Sequence, residues 1–244
     1  MGSLPRGAVA LVTGAARRLG RAIALRLAAG GCGVVIHYRS SEQEAQQVAR
    51  LVASEGVGAW LLQADLADPG EAEALAGRAM ELAGRLDVLV NNASSYPGGD
   101  LATLGLDDLV ASLRLNAWAP FAIARGFACS ARQGRIVNML DARLRGYDRE
   151  HAQYILAKHM LERLTRMLAM EFAPGFTVNA VAPGLVMAPV DNEGLDIQRL
   201  TGDLPLRRAG SPEDVVEAVE FLLGSGYITG QVIYVDGGRH LREP

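Results

Sequence analysis

The sequence predicts a doubly wound α/β fold, a seven-stranded parallel sheet with helices on both faces. Three observations carry that expectation. Seven short apolar runs, mostly rich in valine and isoleucine, are largely hydrophobic on consecutive positions, as strands buried on both faces are. Longer amphipathic stretches separate them in strict alternation, the pattern of β-α-β units. No linker, repeat or low-complexity tract divides the 244 residues, so residues 1–244 are expected to form one domain.

The elements follow in order. The run Val9–Val12 leads to a helical stretch at Leu19–Ala29, Val34–Ile36 to Glu42–Ser54, and Ala59–Leu62 to Glu71–Leu82. Val88–Val90 precedes the longest helical pattern, Leu106–Ala128, and Ile136–Met139 precedes Ala152–Phe172. After Val178–Val181, the helix Pro212–Leu223 has a marked start, with Ser211 as N-cap, Pro212 at the first position and Asp214 in the first turn. Val232–Val235 closes the sheet. Ligands of such sheets bind beyond the carboxyl ends of the strands, so chemistry is sought just after each apolar run.

Composition narrows the class of protein. Hydrophobic residues make up 50% and charged residues 21%, enough for a large core and incompatible with a disordered chain. A net charge of −3 argues against a protein built to hold nucleic acid or an anionic membrane. Cys32 and Cys129 lie far apart with no CxxC, so two free thiols in a reducing compartment are expected. The early run Ala8 to Val12 is too short for a signal-peptide core, and nothing approaches the ~18 apolar residues of a membrane span. These features predict a soluble, cytoplasmic protein. His151 and His159 stand on or beside one helix with no carboxylate to complete a metal site, so no metal is expected and solvated positions are. The charged stretch Arg143 to Glu150 reads as a mobile polar segment near the site, because acids interrupt its basic residues.

The first strand runs into Gly14, Ala15, Ala16, Arg17, Arg18, Leu19 and Gly20 before a helix begins. A glycine-containing turn at that place is a pyrophosphate cradle, where backbone N–H groups and the positive helix end face an anion. Gly14 permits the tight turn and Gly20 lets helix and strand pack closely. Cations are unfavourable at a helix start, so Arg17 and Arg18 imply an anion nearby, and a diphosphate meets that need. The second strand ends in His37, Tyr38, Arg39, Ser40 and Ser41, with no acid before Glu42 to hold ribose hydroxyls. Arg39 with the two serines suits a 2′-phosphate, which favours NADPH over NADH; Ser41 doubles as an N-cap.

Tyr154 and Lys158 stand four apart in a predicted helix and so project from one face. A phenol near its ordinary pKa of ~10 is a poor acid–base group, and a neighbouring ammonium brings it toward the working range. Of the 24 basic residues Lys158 is the only lysine, and it falls in this motif.

Taken together, these motifs resemble the short-chain dehydrogenase/reductase family over almost the whole chain, which implies a Rossmann-type fold. The resemblance further implies that Asp65 and Leu66 contact adenine and that Asn92, Ala93 and Ser94 line the cofactor. It makes Asn116 the catalytic asparagine that helps hold a relay water, and lays Pro183, Gly184 and Leu185 against the nicotinamide. Val235-Asp236-Gly237-Gly238 matches the terminal strand motif, and a homotetramer is implied.

Three departures narrow the substrate. Arg18 replaces the middle glycine of the loop, Ser94 and Tyr96 follow the fourth strand, and Asp141 stands where most carbonyl reductases have a serine donor. A carboxylate facing a ketone oxygen would repel it and forfeit a hydrogen bond, whereas it suits a substrate presenting N–H groups. Together the departures resemble the pteridine reductases and the related dihydromonapterin reductases. The expectation is NADPH-dependent reduction of a pterin C=N bond, dihydrofolate included among the candidates. Arg18, Ser94 and Tyr96 would hold the ring, the last by stacking, while Asp141 and Tyr154 manage the proton and Lys158 tunes Tyr154. The alternatives are a 3-oxoacyl or small-ketone reductase, and a non-catalytic NADP-sensing regulator, against which the set Asn116, Tyr154 and Lys158 argues.

Overall fold

The computed structural model describes residues 7–146, 148–188, 196–202 and 204–242. Its strands are β1 (Val9–Val12), β2 (Gly33–Tyr38), β3 (Ala59–Gln63), β4 (Val88–Asn91), β5 (Gly134–Met139), β6 (Phe176–Pro183) and β7 (Val232–Val235). They form one all-parallel sheet in the order β3-β2-β1-β4-β5-β6-β7. Most strands extend a residue or more beyond their apolar runs, because ladder pairing continues into polar positions. His37 pairs with Leu62, Tyr38 with Gln63 and Asn91 with Asn138.

The period of two along a strand builds a core on each face. Ala10 and Val12 join Ile23 and Leu27 of α1 (Arg18–Ala29), Val48 of α2 (Glu42–Ser54) and Leu222 of α7 (Pro212–Gly224). Val9 and Leu11 join Leu75 of α3 (Pro69–Ala83), Ile123 and Phe127 of α5 (Ala119–Ser130) and Leu168 of α6 (Ala152–Glu171). Between β1 and β4 the winding reverses, and a crevice opens there at the carboxyl ends of the strands.

Helix starts follow local chemistry. The capping box of Ser211 and Asp214 forms as expected. Helix α3 begins earlier than its apolar pattern, since Asp68 accepts from the N–H groups of Gly70 and Glu71 and Pro69 takes the first helical position. The expected single helix Leu106–Ala128 is a composite: α4 (Leu106–Leu113), a π-helical turn (Arg114–Trp118) and α5. In that turn the Ala119 N–H reaches the carbonyl of Arg114, five residues back. Both cysteines are free thiols, Cys32 buried and Cys129 exposed. Among the described residues, no helix is long and apolar enough to cross a membrane.

Candidate active site

The glycine loop is held from beneath. Thr13 Oγ1 accepts from the N–H groups of Asn92 and Ala93, both at 2.9 Å, and Asn92 Nδ2 donates to the Thr13 carbonyl at 2.9 Å. The loops after β1 and β4 are thereby locked together at the crevice. Gly14 takes φ +63°, and a Cβ on Gly20 would lie 2.2 Å from the Gly14 oxygen, so both glycines are required. His37 lines the cleft and is also committed to the glycine loop. Buried, it accepts the Gly14 N–H at Nδ1 (3.0 Å) and meets the Ala64 carbonyl through Nε2 (3.2 Å). Those partners assign the neutral Nε2–H tautomer, and burial pulls the pKa down to about 4. Its function is to position the loop.

Arg17 and Arg18 both line the cleft, and within the chain they turn to different partners. Arg17 pairs with Glu44 of α2. Arg18 adopts φ +52°, a left-handed conformation natural to glycine and costing another residue about 1 kcal/mol. Its guanidinium hydrogen-bonds the Ala188 carbonyl beyond β6, so the side chain spans the crevice.

A cleft of about 430 Å³ runs along this edge of the sheet. Tyr38, Arg39, Ser40 and Ser41 form one end, with Asp65 and Leu66 beside them. The glycine loop with Leu19 is its floor, and Asn92, Ala93 and Ser94 form its other end. Ser41 is the α2 N-cap residue, yet its hydroxyl makes no capping bond. Sequence reasoning missed Ser95 and Leu115 on the wall. Pro183, Gly184 and Leu185 lie off this cleft. Gly184 packs against β7 so closely that a Cβ would sit 2.6 Å from Asp236 Cα, and its N–H donates to the Val235 carbonyl.

The catalytic candidates meet at the carboxyl end of β5. Helix α6 presents Tyr154 and Lys158 from one face, both buried. The Tyr154 hydroxyl donates to Asp141 Oδ2 at 3.0 Å, while Asp141 Oδ1 accepts the Arg143 N–H at 2.8 Å and caps the 3-10 turn Ala142–Arg145. Asp141 is thus both a turn residue and the partner of the phenol. Lys158 Nζ donates to the Met139 carbonyl at 2.7 Å and stands 5.6 Å from the Tyr154 ring centre.

Electrostatics overturn one expectation. Lys158 does not bring Tyr154 toward neutrality: burial, then the charge and hydrogen bond of Asp141, push the phenol well above its usual pKa. Burial lowers the ammonium of Lys158 to about 8 against the pull of Asp141. Burial likewise raises Asp141, opposed by its hydrogen bonds and by the charges of Lys158 and Arg239.

Asn116 is fully buried in the π-helical turn. Its Oδ1 accepts from Ser94 Oγ (2.7 Å) and the Ser95 N–H (3.1 Å), and its Nδ2 donates to the Ser95 carbonyl (3.2 Å) and Ser112 Oγ (3.1 Å). With its amide committed to the chain, the side chain positions the 94–95 loop.

Tyr96 reaches Tyr154 edge-on, ring centres 4.8 Å apart, but stacks on His151 at 3.8 Å with the Arg143 guanidinium 4.9 Å from its centre. Its hydroxyl lies 2.8 Å from His151 Nδ1, which also meets Asp148 at 3.1 Å. Contrary to expectation, His151 is therefore a mostly buried member of the site, whereas His159 is half-exposed beside Glu162. Asp148 stands three residues before His151 and Arg143 five before Asp148; it is Tyr96, from the loop after β4, that tertiary packing adds to them. Among the described residues, no group of three or more side chains suits a metal ion.

A sequence profile described as enoyl-(acyl carrier protein) reductase matches residues 14–240. A 3-oxoacyl-[acyl-carrier-protein] reductase of Synechocystis sp. is 36% identical over 237 residues, 94% of this chain and 96% of the relative. The corresponding reductase of Staphylococcus aureus is 34% identical over 241 residues, 95% and 98% of the two chains. Among solved structures, the alternative dihydrofolate reductase 1 (FolM) of Brucella suis in complex with NADP superposes with a TM-score of 0.91 at 32% identity, covering 99% of this chain and 97% of that one. Acetoin dehydrogenase from Enterobacter cloacae gives 0.88 at 31% identity, covering 99% and 98%.

Proposed function

The chain belongs to the short-chain dehydrogenase/reductase family, and from that premise we propose that it is an NADPH-dependent reductase of a dihydropterin C=N bond. One observation carries the substrate: the group hydrogen-bonded to Tyr154 is the carboxylate of Asp141. A serine there would donate to a ketone oxygen; a carboxylate accepts, and a pterin ring offers N–H groups.

The cleft suits a dinucleotide. Gly14 holds φ +63° and a Cβ on Gly20 would collide with the Gly14 carbonyl, so the tight loop needs both glycines, and α1 points its amino end there. Arg39, Ser40 and Ser41 would take the 2′-phosphate and Asp65 and Leu66 the adenine, with Asn92 to Ser94 along the ribose, and Lys158 is assigned to its hydroxyls by family resemblance. The supports for NADPH are the missing acid at the end of β2 and the NADP held by the Brucella relative. Pro183, Gly184 and Leu185 are assigned to the nicotinamide by family resemblance alone. When bound, the cofactor supplies hydride.

The chain supplies geometry and a proton. Arg18 and Ser94 hold the ring from two sides, and Tyr96 lends an aromatic edge or, after a shift of His151, a face. Tyr154, protonated well past neutrality, gives its proton to the ring nitrogen, and Asp141 accepts from a substrate N–H or feeds the phenol. A site in the cytoplasm and a tetrameric assembly complete the proposal, by resemblance.

The 3-oxoacyl-carrier reductases among the relatives favour a second reading, reduction of a 3-oxoacyl thioester. NADPH oxidation by the purified protein, measured side by side with a neutral dihydropterin, dihydrofolate and a 3-oxoacyl thioester, separates the two. The expected outcome is turnover of the pterins with the thioester at least about tenfold poorer in kcat/KM. Thioester turnover alone would sink the pterin reading and leave the reductase assignment intact.

A further inference from the structure

The loop after β4 and the segment leading into α6, distant in sequence, are joined along their length. Gly99 and His151 form a parallel bridge, in which the Gly99 N–H donates to the Glu150 carbonyl at 2.7 Å and the Ala152 N–H to the Gly99 carbonyl at 2.9 Å. Gln153 adds a side-chain bond, its Nε2 donating to the Gly98 carbonyl at 2.7 Å. Beside these bonds Tyr96 stacks on His151, and its ring centre lies 4.8 Å from that of Tyr154, edge-on.

Gln153 makes its bond at the expense of another. Its side chain is buried, and among the described residues its Oε1 has no hydrogen-bond partner. Gly98 is exposed, so water can take its carbonyl in the absence of the glutamine. A stranded buried acceptor costs more than one amide bond to a wetted carbonyl returns. An unbranched apolar side chain would therefore serve stability better, and the reason for a glutamine lies outside stability. Gly99 keeps room for the amide, since a Cβ there would lie 2.7 Å from both Gln153 Nε2 and Oε1.

We propose that Gln153 is a positioning residue for the substrate: by holding the Gly98 carbonyl it fixes the 96–99 loop on the start of α6, so that Tyr96 and Tyr154 present one preformed wall to the pterin. The inference rests on the pterin reading, in which Tyr96 meets the substrate ring. A preformed wall lowers the ordering cost of binding, so its loss is felt in KM and not in the transfer of hydride or proton. Gln153 stands apart from the residues that line the cofactor cleft, so NADPH affinity should not depend on it.

Steady-state kinetics with NADPH and 6-hydroxymethyl-7,8-dihydropterin, paired with thermal unfolding, test it. Gln153→Met should raise KM for the pterin about fivefold or more, hold kcat within about twofold, and leave Tm unchanged or higher. Gly99→Ala, whose methyl pushes the amide off Gly98, should raise KM in the same way. The double variant should be no worse than the worse single one, because both changes break one clasp. The Kd for NADPH, read by its fluorescence, should hold in all three. An unchanged KM in both single variants, or a loss carried by kcat, overturns the proposal and leaves the pterin reading standing. So does a KM that rises only together with a lowered Tm, since general loosening would do the same. No turnover of the pterin by the unaltered protein overturns both.

Discussion

At the scale of the residue, Asp141 decides the chemistry. Its carboxylate keeps Tyr154 protonated and lends Lys158 part of the charge that burial removes. Tyr154→Phe should bind NADPH normally and lose about a hundredfold or more in turnover. In the unmodified protein, reduction should fall as pH rises through about 8, where Lys158 gives up its proton. Asp141→Asn removes the negative charge that raises Lys158, so the falling limb of the pH–rate profile should move to lower pH; a stationary limb would disconnect the lysine from the rate. Arg18 poses the opposite balance. Arg18→Gly relieves a left-handed backbone, which should stabilise the fold by about 1 kcal/mol and raise Tm by a few degrees. The same change deletes the guanidinium that spans the crevice, so KM for the pterin should rise. A lower Tm would mean that the bond to Ala188 outweighs the strain.

At the scale of the element, the π-helical turn is what separates a helix from a site. Asn116→Ala would leave the Ser95 N–H and carbonyl without their partner, costing about 1–3 kcal/mol for each group that stays buried. Thermal unfolding and turnover should therefore worsen together, whereas an asparagine needed only to hold water would lower turnover alone. Sequence reasoning found the two ends of this segment and missed its middle, because the apolar periodicity of Leu106–Ala128 runs through the wide turn uninterrupted. At Pro212 periodicity and a capping box coincide, and at Glu42–Ser54 periodicity alone sufficed; both boundaries were legible to the residue or nearly so. The motif residues of the cleft were legible too, since each follows a strand. His151 was not: Asp148 stands only three residues before it, but Tyr96 comes from the loop after β4, and proximity of that kind leaves no periodic trace. The reach of Arg18 to a backbone carbonyl was equally invisible, because any residue supplies one.

At the scale of the whole molecule, stability should carry the signature of a neutral buried imidazole. His37 titrates near 4 when folded and near 6.5 when unfolded, so between those values the unfolded chain binds more protons. Its contribution is intact above about pH 6.5 and lost as pH falls toward 4, a change of about 3 kcal/mol. Urea unfolding at pH 7 and at pH 4.5 measures it, and His37→Gln should narrow the difference between the two. No change in that difference would place the acid sensitivity elsewhere. The sheet that buries His37 also buries Lys158, the only side-chain amine in the chain. Amine-directed acylation of the folded protein should therefore spare every side chain while the seam between β5 and α6 stays closed. Any label recovered on a lysine by mass spectrometry can come from a single position. With its pKa near 8, that amine is nucleophilic once uncovered, so the rate of labelling becomes a direct clock for opening of the catalytic centre.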